Sequence, residues 1–271
     1  MTPRWRSLAA FREKPLDYSL LSIQCWQALQ LQFMIDVITI RQFGLNACVQ
    51  RAGYWAHNHM TNKIDHFAVG TETLTQGIDW VSDALGVTLE FGSKHDLMST
   101  HNCVMQSGNE SFFELIAIDP DAPAPPRTRW FTLDDATTQK RLAVHPRALC
   151  WVVNTTDLDA TVANSPVDLG EIVHFQRGDR TWRLTVPADG HLPMQGLLPA
   201  FIEWSPGPHP SSGQKDLGVT LNKVLLSHPD PDELNSLLKQ LHVDHLATAT
   251  KADKPALAFE LSSPKGTVIL N

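Results

Sequence analysis

Ile64-Asp65-His66-Phe67-Ala68-Val69 is the stretch that decides how this chain is read. Its alternation is that of a half-buried strand: Ile64, His66 and Ala68 share one face, and Asp65, Phe67 and Val69 share the other. His66 then points with two apolar neighbours toward something enclosed. A second strand, Ser111–Ile118, repeats the pattern, with Glu114 between Phe112 and Ile116 on one face. An imidazole and a carboxylate each set among apolar side chains are costly unless they meet a partner. The expectation is that they meet, around a metal ion or a polar substrate.

Working outward, the chain from Met60 repeats itself. In the first unit a helix over 75–85 follows the His66 strand, opened by Thr73 and closed by Gly86. Strands are predicted near 87–91, 102–106 and 111–118, with a loop over 92–101. A second unit starts with a strand at 148–153. A short helix capped by Thr156-Asp-Leu-Asp159 follows, then strands near 170–176, 181–186 and 198–204. A third starts at 219–226, with a helix over 233–241 striped by Leu234, Leu237, Leu238 and Leu241 and strands near 245–250, 256–261 and 267–270. Each reads β-α-β-β-β, which makes the fold class α+β, a curled mixed sheet of repeated units. Two proline-rich connectors, 119–127 and 205–213, join them.

Residues 1–60 differ from the rest: six Lys/Arg stand against three Asp/Glu there, and 16 against 26 in the remainder. They are weakly patterned. Two readings stand open: an upstream extension not native to the protein, with Met60 as the natural start, or a docked N-terminal helical arm. The formal net charge of −7 argues against a nucleic-acid partner. The longest uncharged run, 18–35, holds four glutamines, Gln24, Gln27, Gln30 and Gln32, and does not read as a membrane span. Four cysteines, Cys25, Cys48, Cys103 and Cys150, form no CxxC pair, so a reducing, cytoplasmic setting is expected.

Aligning Leu74 with Leu158 at the two helix starts sets His66 against Cys150. Glu114 and Glu203 each fall in the last strand of their unit. The third unit offers Lys223 at the first position and Glu260 one strand early, and reads as structural.

Paired units of this kind, with His on a first strand and Glu on a last strand, resemble the vicinal oxygen chelate superfamily. More closely, Ile64–Val69, Gly92–Asn102, Phe113–Pro123, Arg129-Trp-Phe131 and Leu198–Trp204 resemble a glyoxalase-like domain family of bacterial proteins. The likeness covers about 62–271, with units near 62–118, 147–205 and 217–271. It implies a cup built by two units and a divalent metal ion that holds vicinal substrate oxygens. It also implies a small oxygenated metabolite as substrate, for a lyase, isomerase or dioxygenase, and a possible homodimer. Carried over by position, His66, Glu114 and Glu203 match three ligand positions, and Cys150 stands where a histidine is the rule. That departure favours an alternative, a metal-free protein that sequesters a small molecule.

The remaining candidates each carry a bland reading beside the functional one. His101, at a strand start, is an acid/base or replacement ligand, or a turn cap. Glu203 is a ligand or acid/base, or part of a pocket wall with Phe201 and Trp204. His95 contacts substrate or is a solvated loop histidine. Arg183 clamps an anionic substrate or makes a structural ion pair. His209 lies between prolines in a connector, and Arg129 is expected to pack the first one.

Overall fold

β1 (Lys63–Gly70) runs through the middle of an eight-stranded sheet whose order is β2-β3-β4-β1-β5-β8-β7-β6. The first unit supplies helix α1 (Leu74–Leu85), β2 (Phe91–His95), β3 (Thr100–Gln106) and β4 (Phe112–Ile118). The short helix α2 (Ala136–Leu142) leads into the second unit, which comprises β5 (Arg147–Asn154), α3 (Leu158–Ala163), β6 (Glu171–Arg177), β7 (Arg180–Val186) and β8 (Ala200–Trp204). In both units the first strand lies parallel to the last, β1 to β4 and β5 to β8, and β1 meets β5 antiparallel. The computed structural model describes residues 62–108 and 110–271. Both readings of residues 1–60 lie outside the described residues.

The helices form where the sequence provides caps. The Thr73 hydroxyl accepts from Gln76 N–H at 3.2 Å, and Gly86 ends α1 at φ +77°, a left-handed conformation that glycine adopts freely. Leu74, Gly77, Val81 and Leu85 form its buried stripe. Strand alternation then divides the core into two. Phe67, Val69, Phe113, Leu115, Trp151 and Phe201 face the helices. Ala68, Ile116, Cys150, Val152, Ala200 and Ile202 face the concave side, where Trp130, Phe131, Leu133 and Leu142 join them.

Three expectations are corrected. β2 (Phe91–His95) starts where the predicted strand over 87–91 ends and runs into the predicted loop, because buried Val87 and Leu89 imitate strand alternation in the segment leading out of α1. α2 was not expected, being a polar helix of 7 residues whose N-cap Asp135 accepts from Thr138 N–H. The third unit keeps the element order but not the pairing. It is a four-stranded sheet ordered β10-β9-β11-β12, built from β9 (Thr220–His228), α4 (Pro231–Gln240), β10 (Ala247–Lys251), β11 (Ala256–Ser263) and β12 (Gly266–Leu270). Here the first strand lies parallel to the second instead of the fourth. Among the described residues no helix is long and apolar enough to cross a membrane.

Candidate functional site

A β-bulge at the head of β1 builds the site. Ile64 pairs with Val153 and His66 with Val152, so Asp65 is an extra residue without a partner. A bulge re-aims a side chain, and Asp65 turns to the same side as His66 instead of the opposite one. There it is fully buried. Its Oδ1 lies 2.6 Å from His66 Nδ1. Its Oδ2 accepts from Trp204 Nε1 at 2.7 Å, His209 Nε2 at 3.0 Å and Asn154 Nδ2 at 3.1 Å. Burial alone would raise the Asp65 pKa, but the hydrogen bonds from His209 and His66 outweigh it and hold the carboxyl well below the usual range. An ionised Asp65 requires His66 to carry its proton on Nδ1, which leaves Nε2 to act on the cup side.

His66 stacks on Phe112 at 4.6 Å, and its Nε2 stands 3.7 Å from Glu114 Oε2. The other Glu114 oxygen accepts from Asn102 Nδ2 at 2.6 Å, and His95 Nε2 lies 4.0 Å from that same oxygen. Burial lowers the His95 pKa to about 4 against the opposing pull of Glu114, so the ring is neutral near pH 7. These groups occupy one wall of a cup of about 360 Å³. Trp130, Trp182 and Trp204 line it, with Arg177 and Arg180 at its edge, their guanidinium groups 5.3 Å and 5.8 Å from the Trp182 and Trp204 ring centres.

The second unit differs at the matching positions. The register that pairs His66 with Val152 also pairs Ala68 with Cys150, so His66 and Cys150 are related by the pseudo-two-fold axis between the units. Ala68 pairs with Glu114, and its counterpart Val152 pairs with Ala200. Ala200, and not Glu203, is thus the counterpart of Glu114. Glu203 and Arg183 lie on the helix side of the sheet. Arg183 bonds Glu203 Oε2 at 2.5 Å and Asp159 at 2.7 Å, and Glu203 accepts from the Leu158 N–H at 3.1 Å. Their readings as ligand, acid/base and substrate clamp are corrected to a structural ion pair at the start of α3. His101 also points away from the cup, alternating with Asn102 on β3 and facing Asp119 at 3.9 Å. Trp204 and His95 do line the cup.

The implied divalent metal ion can be tested against these donors. His66 and Glu114 are ligand types, but their counterparts are an alanine and a thiol whose pKa burial and Glu114 raise well above its usual value. Among the described residues no group of three or more His, Cys, Asp or Glu side chains could hold a metal ion. The residues do not fit a metal shared between the two units.

Sequence reasoning missed Asp65, Asn102, Arg177 and Arg180. The signal for the arginines was present: Arg177-Gly-Asp-Arg180 is a hairpin turn flanked by two cations, at the end of a strand whose alternate residues Val173 and Phe175 face the cup.

Comparison with known proteins agrees with this architecture. A hypothetical protein from Staphylococcus aureus is similar over 77% of this chain and 84% of its own, with 14% identity and a TM-score of 0.52. Methylmalonyl-CoA epimerase from Mycobacterium tuberculosis matches 55% of this chain and 91% of its own, at 17% identity and a TM-score of 0.35. No protein of curated function matches the sequence. The family model described as a glyoxalase-like domain matches residues 64–242, more than half of the chain. The chain therefore belongs to the glyoxalase-like domain family.

Proposed function

We propose that this protein is an enzyme of the lyase or isomerase type that moves a proton on a small oxygenated, anionic metabolite. One observation carries the reading: the Asp65–His66 pair, joined at 2.6 Å, directs His66 Nε2 toward Glu114 on one wall of the cup. In the step envisaged, His66 Nε2 takes the proton from a carbon next to a carbonyl. The C–H electron pair passes to the carbonyl oxygen as an enolate, and the imidazolium so formed is stabilised by Asp65. Arg177 and Arg180 hold the substrate's anionic group, and the tryptophans hold its body. His66 returns the proton to a different carbon of the substrate to complete an isomerisation; in an elimination the enolate re-forms the carbonyl, the β-substituent leaves with its bonding electron pair, and His66 gives it the proton. The expected metal-dependent chemistry is not carried forward, because the donor set does not fit it. Two buried free thiols, Cys103 and Cys150, are in keeping with a cytoplasmic setting.

The test is hydrogen–deuterium exchange, followed by NMR in D2O, on a panel of 2-oxo and 3-oxo carboxylates. Wild-type protein is expected to wash deuterium into at least one member. His66→Asn should slow this about 100-fold or more, and Asp65→Asn should slow it as well. Chelator-treated protein should keep its rate. Exchange that survives His66→Asn, or that is lost on chelation, would refute the assignment.

A second reading, a metal-free binding protein, is favoured by the aromatic and apolar lining of the cup, with Phe112, Trp130, Phe131, Trp182 and Leu184, and by Cys150 standing where a histidine is the rule. It predicts ligands that raise the melting temperature yet exchange no proton.

A further inference from the structure

A second cavity, of about 390 Å³, shares no lining residue with the cup. It lies where α2, the start of β5, the loop over 191–197 and the start of β11 meet. Its lining is cationic on one side, with Arg141 from α2 and Arg147 from β5, and apolar on the other, with Leu142, Leu149, Leu192 and Leu257. Arg147 is the telling residue. Its Nε is buried and has no hydrogen-bond partner. Among the described residues no carboxylate stands within ion-pair distance of Arg141 or Arg147. Asp135 and the terminal residue Asn271 also line the cavity without pairing with either arginine, and the Asp135 carboxylate accepts from Thr138 N–H at 2.8 Å as the cap of α2. A guanidinium offers five donors in a rigid fork and is seldom left desolvated without an acceptor.

Two turns shape the cavity's rim, and each holds a non-glycine residue in the left-handed region. Thr132 has φ +57° and Gln195 has φ +59°. Such conformations persist where the surroundings over-determine them, often at ligand sites. Thr132 is fixed by its N–H bond to Gly190 O at 2.8 Å.

We infer that this cavity is a second binding site, for a small organic oxyanion: a carboxylate or phosphate headgroup on a compact apolar body. The headgroup pairs with the guanidinium ends of Arg147 and Arg141, which have no carboxylate partner, and the body covers the leucine side. The site is independent of the proton chemistry assigned to the cup.

Isothermal titration of the full chain with phenyl phosphate, benzoate and inorganic phosphate tests this. The background is Arg177→Gln/Arg180→Gln, which removes the cup's cations. One equivalent of phenyl phosphate or benzoate is expected to bind, whichever is tighter naming the headgroup, and inorganic phosphate at least tenfold more weakly. Adding Arg147→Gln should weaken binding tenfold or more. Ala256→Glu, at an exposed lining position, should do the same while leaving the Arg147 side chain in place. Binding that vanishes in the Arg177→Gln/Arg180→Gln background, or that is indifferent to both Arg147→Gln and Ala256→Glu, overturns the inference.

Discussion

His95 shows how much a single buried ring contributes to the behaviour of the site. It is enclosed by Trp130, whose ring meets it edge-on at 5.0 Å, and its Nδ1 lies 3.0 Å from Thr100 Oγ1. Burial holds its pKa at about 4, against 6.5 for a free histidine. Between those two values the unfolded chain takes up a proton that the folded chain refuses. Stability therefore falls as pH drops through that window, by up to about 3 kcal/mol. Urea denaturation of wild type and His95→Asn from pH 7 to pH 4 should show the wild type losing this extra increment; parallel profiles would count against it. The same scale explains what was legible in the sequence. His66 and Glu114 stood out because each breaks an apolar face. Asp65 did not, because strict alternation sends it outward, and only the bulge opposite Val152 and Val153 brings it in. No residue type signals that bulge. Its cost falls on the ladder, and its benefit lies in bonds to Trp204 and His209, far along the chain.

At the scale of elements, the turn over 130–132 decides the shape of the cup. Trp130 and Phe131 stack at 5.2 Å, and both line it, while Phe131 and Thr132 take φ values of +56° and +57°. Gly190 anchors that turn. Its carbonyl accepts from Thr132 N–H, its φ is +76°, and a Cβ there would sit 2.1 Å from Arg129 O. Gly190→Ala is expected to cost about 2–4 kcal/mol and to weaken ligand binding in the cup. Thermal melts read the first effect and titration of a cup ligand the second; an unchanged melting temperature would show that the backbone yields freely. Helices α1 and α4 were readable because Thr73, Gly86, Asp230 and Pro231 mark their ends. α2 has seven residues and one buried position, Leu142, too little for a stripe. Glu203 was misplaced because a Glu among aromatic residues looks alike on either face of a strand. Only the pairing of Val152 with Ala200 identifies the true counterpart of Glu114.

Across the whole molecule, the third unit is bound into the first two through one core. Phe259 meets Phe67 at 4.9 Å, and Val224, Leu226, Leu261 and Leu270 belong to the same cluster as Trp151. Burying five such side chains is worth about 10 kcal/mol at about 2 kcal/mol each, as much as the net stability of a typical domain. Deleting residues 217–271 should therefore abolish cooperative thermal unfolding followed by circular dichroism; a sharp transition in the shortened chain would show the core to be divisible. The element order of the third unit was legible, but its pairing was not, because β-α-β-β-β describes either sheet equally well. The two halves of the cup also differ in a way that reaches into chemistry. Asp65, His66 and Glu114 correspond to Leu149, Cys150 and Ala200 across the pseudo-two-fold axis, so the second unit supplies no matching base. With His66 as the base on one wall of the cup, a planar enolate held there can regain hydrogen from one side only. Its product would then keep a single handedness, and the catalyst would be unable to racemise a stereocentre by passing hydrogen through the molecule from one side to the other.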